Sequence, residues 1–198
     1  ASPTRSSYAR TIDMYGGTLV LRKDANTDFY NHLHLYASAT VTVDRVTAGA
    51  GPSHQLSRLD MGANFTIAVV TGANVTSGTA TLTFDDFPQL GATDGTTSTF
   101  NIGDGVNVSL NGNLTGTQAK CSLVKTGAGR LTLIGNNNYW DPTAGVVTIN
   151  GGTLDLKNVN ALGDDAPRIN LSMGGSGTLR YEIALADQPD TTITGAGA

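Results

Sequence analysis

The chain has 198 residues, of which 25 are Gly, only 14% are charged, and the net charge is −4, against usual values of about 7% Gly and about 25% charged residues. With 39% hydrophobic residues and Thr, Val, Ile and Leu throughout, disorder is excluded, and the clustered cations that would neutralise a phosphate backbone are missing, so nucleic acid is not an expected partner. No apolar run approaches the roughly 18 residues of a membrane span, no basic-then-apolar signal segment opens the chain, and the lone Cys121 leaves no internal disulfide framework.

The opening Ala1-Ser2-Pro3 suits the mature product of a secreted precursor. Short strand patterns follow in order: GTLVL from Gly17, HLHLY from His32, ATVTV from Ala39, FTIAVV from Phe65, TATLTF from Thr79, STFNI at Ser98–Ile102 and GVNVSL from Gly105. They are rich in β-branched residues, and Gly/Asn/Asp turns such as GAN and GDG separate them. No stretch of ten or more residues has a 3.6-residue period, so helices should be nearly absent.

From Gly105 onward the pattern becomes periodic. GRLTL, GTLDL and GTLRY begin at Gly129, Gly152 and Gly177, and VVTI, RINL and TTIT begin at Val146, Arg168 and Thr191. Two independent series sharing a period of about 23 residues predict one structural coil per repeat. A propeller blade needs about 40 residues, and a sandwich does not repeat one strand every 23. The expected fold is therefore an all-β parallel β-helix, or β-solenoid. It would form a single domain over 1–198 with about eight coils of ~23 residues, its best-formed repeats lying in 105–198. Coils stacked at ~4.8 Å would make a rod of roughly 40 Å. Leu131, Leu154 and Leu179 should then form one inward ladder, and Val147, Ile169 and Ile193 another. Each buried rung residue would contribute about 1.5–3 kcal/mol. Asn136, Asn137 and Asn138 suit a corner, because Asn tolerates the left-handed conformation.

The chemistry-bearing residues are few, and ordinary structural roles account for most of them. Cys121, in KCSLV, fits a small core position. Lys120, Lys125 and Arg130 read as solvated turn residues. His32 and His34 share one face of a strand and supply half a metal site, but no third ligand is placed and His54 sits in an apparent GPSHQ turn. Asp85-Asp86, Asp94, Asp104 and Asp164-Asp165 are potential calcium ligands at corners, yet the calcium-binding GGxGxD pattern is absent and Asp is an ordinary turn residue. No metal or cofactor is therefore expected. A polysaccharide-active enzyme would draw on Asp85, Asp86, Asp104 and Arg130, although nothing in their spacing selects them. No catalytic residue is assigned and the chain reads as a non-enzyme. Tyr15, Tyr30, Tyr36, Tyr139 and Trp140 would stack on sugars if exposed together. Asn64, Asn74, Asn107, Asn113 and Asn170 open Asn-x-Ser/Thr triplets, which an Asn- and Thr-rich chain also produces by chance.

The segment KTGAGRLTLIGNNNYW, followed by VVTINGGTLDL and NVNALGD, spans Leu123 to Asp164 with its flanks and resembles the autotransporter-associated β-strand repeat of bacterial surface proteins. GGTLVL from Gly16 and GGSGTLRY from Gly174 are looser echoes. The resemblance implies a right-handed parallel β-helix, exported and displayed outside a bacterial cell in adhesive or structural roles, and it transfers no catalytic residues. The chain ends in TTITGAGA without the membrane barrel of an autotransporter. Neither end offers a capping helix, so both ends of the solenoid should present unpaired strand edges. The function expected from this is a subunit that stacks on copies of itself, with possible strand donation by a terminus, in an extracellular filament. A passenger fragment adhering to host or glycan surfaces is the alternative.

Overall fold

A computed structural model describes residues 10–91, 95–114, 121–136, 145–162 and 170–182. Every strand pairs parallel to its neighbours, and no helix occurs among the described residues. The alternation expected of half-buried strands is seen residue by residue; Ala80–Phe84, for example, reads buried, partial, buried, partial, buried.

The first coil contains β1 (Thr11–Met14), β2 (Thr18–Arg22) and β3 (Thr27–Asp28). The second contains β4 (His32–Leu35), β5 (Ala39–Asp44), β6 (Gly49–Ala50) and β7 (Ser53–Leu56). The third contains β8 (Leu59–Met61), β9 (Thr66–Thr71), β10 (Val75–Ser77) and β11 (Ala80–Phe84), and the fourth β12 (Gln89–Leu90), β13 (Thr97–Ile102) and β14 (Val106–Leu110). Among the described residues the last three show two strands each: β15 (Ser122–Thr126) with β16 (Arg130–Leu133), β17 (Val146–Ile149) with β18 (Thr153–Leu156), and β19 (Asn170–Met173) with β20 (Thr178–Tyr181).

Two long sheets of seven strands run the length of the stack, in the orders β2-β5-β9-β13-β15-β17-β19 and β3-β7-β11-β14-β16-β18-β20. Among the described residues a third sheet, β1-β4-β8-β12, covers the first four coils, and β6 pairs β10 at a corner. The described residues form seven rungs, against about eight coils expected over the whole chain, and the second and third coils are longer than 23 residues, with 28 from Ala39 to Ile67 and 33 from Ile67 to Phe100. In the second long sheet the register runs Thr27, His54, Leu82, Val108, which are steps of 27, 28 and 26. It continues Leu131, Leu154, Leu179, which are steps of 23, 23 and 25. The extra residues build the third sheet and the β6/β10 corner.

The ladder of Leu131, Leu154 and Leu179 is present as expected. The other ladder is corrected: Val147 pairs with Leu171, two residues beyond Ile169, so the strand occupies Asn170–Met173 rather than starting at Arg168. Ile169 and Ile193 lie outside the described residues. Between the long sheets the chain turns on glycine because rung backbones nearly touch there. Gly127 has φ +74°, and a Cβ on it would lie 2.2 Å from the Ile102 carbonyl oxygen of the rung below. One rung later Gly152, at φ +64°, would collide in the same way with Gly129 O.

Candidate interaction surfaces

Two polar residues lie inside the coil at positions that sequence reading assigned to turns. Lys125 is fully buried, in register with Phe100 below and Ile149 above. It is therefore an inward ladder residue and not a solvated turn residue. Its ammonium donates to the carbonyl oxygens of Thr126 (2.7 Å), Gly127 (2.8 Å) and Gly151 (3.2 Å), so the glycine corners of two rungs supply all three acceptors. Burial pushes its pKa down from 10.5 to about 8. The signal was present in SLVKT: with Leu123 inward and Val124 outward, Lys125 must point inward. His54 is likewise not in a turn but inside β7, fully buried, one rung below Leu82. Its Nε2 lies 3.1 Å from the Asp44 carbonyl oxygen, its ring meets Phe29 edge-on at 5.3 Å, and its Nδ1 has no partner.

Asp44 anchors the corner beside it. Burial alone would raise its carboxyl, but the backbone N–H of Arg45, the Arg22 guanidinium (Nε 2.9 Å, Nη2 2.7 Å) and the Asn74 N–H hold it below the usual carboxylate value. Asp155 is the counterpart near the other end. It is buried on the outer face of the second long sheet, where Arg180 grips it at 3.0 and 2.5 Å. Burial pushes its carboxyl up, and Arg180 and Lys157 bring it down further.

The candidate enzyme residues separate. Asp104 and Arg130 line one shallow groove of about 200 Å³ with Asn107 and Thr153. Asp85 and Asp86 follow β11, at the opposite ends of these strands and therefore roughly 15 Å away. Asp85 accepts from Asn111 Nδ2 at 3.2 Å, and Asp104 Oδ1 caps the Gly105 N–H at 2.9 Å, an ordinary turn contact. Cys121 is buried against Thr96, with Oγ1 and Sγ 3.3 Å apart, as a core residue. The Asn136 N–H donates to Asn113 Oδ1 at 2.9 Å, one rung below. Lys120, Asp94, Asn137, Asn138, Tyr139, Trp140, Asp164 and Asp165 lie outside the described residues. Among the described residues, no three His, Cys, Asp or Glu side chains gather closely enough to hold a metal ion. Nor is any helix there long and apolar enough to cross a membrane.

Two surfaces remain. The outer face of the third sheet carries His34, half-buried, with its Nδ1 3.7 Å from Asp13 Oδ1 and its ring 4.2 Å from that of Tyr36. Tyr36 in turn stacks on Tyr15. Tyr30 stands apart from this group, in a positive-φ turn (55°) whose N–H is held by Asp28 Oδ1. The other is the last described rung, where Met173 follows Ile149 and Tyr181 follows Leu156 in the same ladders.

The fold defines the class, a parallel β-solenoid. Comparison of the chain with family models, with curated proteins and with solved structures gives no match.

Proposed function

We propose that the chain is a structural subunit of the bacterial exterior, related to autotransporter-associated repeat proteins, which stacks end to end on copies of itself into a filament or surface fibre and performs no catalysis. The observation that carries this reading is the uniform parallel stack: rung follows rung in register along both long sheets of the described residues, with the inward alternation in phase. A stack of this kind extends by adding one more rung of the same pattern. The first described rung of a second copy matches the last in pattern. Asn170-Leu171-Ser172-Met173 would lie against Thr18-Leu19-Val20-Leu21, bringing Leu171 onto Leu19 and Met173 onto Leu21 with the alternation in phase.

Light scattering after size exclusion and negative-stain microscopy over a concentration series test the reading. Fibres or concentration-dependent oligomers are expected, and Met173→Lys should abolish them while leaving the far-ultraviolet spectrum of the monomer unchanged. A monodisperse monomer at the highest soluble concentration, with no fibre in the micrographs, overturns the reading.

A further inference from the structure

The rings on the third sheet form a platform that neither the core nor end-to-end stacking uses. Tyr15 directly follows β1 and Tyr36 directly follows β4, and the Tyr36 N–H donates to Met14 O at 2.8 Å, so the two tyrosines occupy the same place on adjacent rungs. Their rings are 4.7 Å apart and within 6° of parallel, which is the rung spacing of a parallel sheet expressed in side chains. The next two rungs place Gly62 after Met61 and Gly91 after Leu90, so the column carries no side chain beyond Tyr36. Tyr15 is 76% exposed and Tyr36 45%. Beside the rings, Asp13, His34 and Asp60 form the adjacent outward column in register, and Arg58, bonded to Asp60, reaches Gln89 Oε1 at 2.8 Å.

This chemistry selects a ligand. The carboxylates of Asp13 and Asp60 and the net charge of −4 disfavour phosphate-bearing and other anionic partners. Two rings cover far less area than a stable protein interface, which needs roughly 800 Å² per partner. A flat aromatic surface flanked by a carboxylate, an imidazole and an amide suits a ligand with an apolar C–H face and a rim of hydroxyls. We infer that the outer face of the third sheet, centred on Tyr15 and Tyr36 with Asp13 and His34 at its edge, is a binding site for an uncharged polysaccharide. A pyranose ring lies on the exposed tyrosine, and its hydroxyls bond Asp13 and His34.

The site lies on the side of the rod, so it works in the monomer and is independent of stacking. Native affinity electrophoresis of the full chain through gels containing soluble xyloglucan, glucomannan, hydroxyethyl cellulose or dextran tests it. At least one polysaccharide should retard the protein. Tyr15→Ala and Tyr36→Ala should each weaken that binding by roughly 2- to 12-fold, the range an aromatic contact implies. Tyr30→Ala, which removes a tyrosine outside the pair whose exposure lies between those of Tyr36 and Tyr15, should leave it unchanged. The inference is overturned if none of the four gels retards the chain, if Tyr15→Ala binds as the parent does, or if Tyr30→Ala is as damaging as the other two. The spectra of the variants should match that of the parent, since both rings are largely outside the core.

Discussion

Lys125 gives the sharpest test of the interior. Its pKa falls from 10.5 in the unfolded chain to about 8 when folded. Over the interval between those values the unfolded state binds the proton and the folded state releases it, so stability must rise with pH there. Each pK unit corresponds to about 1.36 kcal/mol, which bounds the whole effect at about 3.4 kcal/mol, of which about 2.5 kcal/mol falls between pH 7 and pH 10. The three carbonyl bonds favour the ammonium and pull the figure down from that bound. The perturbation is Lys125→Met, which keeps an unbranched stem between Phe100 and Ile149 and removes the titration. Unfolding free energies from urea titrations at pH 7, 8, 9 and 10 are compared for parent and variant, so that contributions common to both cancel. The parent should gain up to about 2.5 kcal/mol relative to the variant across the series, at most about 1 M in urea midpoint. A difference that is flat with pH, or that falls as pH rises, refutes the reasoning and shows that the carbonyl cage outweighs burial.

Three further outcomes follow from the same geometry. Gly127→Ala combines left-handed strain with a Cβ 2.2 Å from Ile102 O, whereas Gly17→Ala at φ +79° meets nothing within 4 Å; the second should cost about 1–2 kcal/mol, the first clearly more, with melting temperature falling about 2–4 °C per kcal/mol. Leu154→Ala, at a fully buried rung position, should cost about 2–5 kcal/mol in chemical denaturation, while Thr148→Ala on an outward face should stay within about 0.5 kcal/mol. Asp44, whose carboxyl is held below 3.8 when folded, adds stability that is present above that pH and lost as pH falls through the folded value. Asp44→Asn should therefore lower stability at pH 7 by about 1–3 kcal/mol and flatten the acid limb of the stability curve, as read by thermal melts from pH 6 to pH 2.

The later coils were legible in the sequence because each reduces to two strands and one glycine corner. Gly129, Gly152 and Gly177 mark places where the backbone has no room for a Cβ, so the spacing of glycines reports the pitch directly. The earlier coils hid their period. Between Ile67 and Phe100 the register advances 33 residues, and the added chain forms strands of two or three residues, such as Gln89–Leu90 and Val75–Ser77, too short to alternate visibly. Lys125 and His54 are hidden for another reason: their residue types suit turns, whereas their strand phase points them inward. Both sit two residues from an inward leucine, Leu123 and Leu56, and alternation alone assigns them to the interior. The tyrosine pair was recognised as a set of rings but not as neighbours, because Tyr15 and Tyr36 are 21 residues apart, shorter than the later repeat. Their meeting depends on the small first coil, in which Thr11 pairs with His32.

Every strand pairing among the described residues is parallel, so the chain climbs the stack one rung at a time and the rod has a direction. A filament of such rods joined head to tail would be polar, with chemically unlike tips, and its growth at one tip could be blocked without touching the other. The stacked tyrosines lie on the first two rungs, so they would recur once per subunit along one side, a periodic mark that image averaging can find.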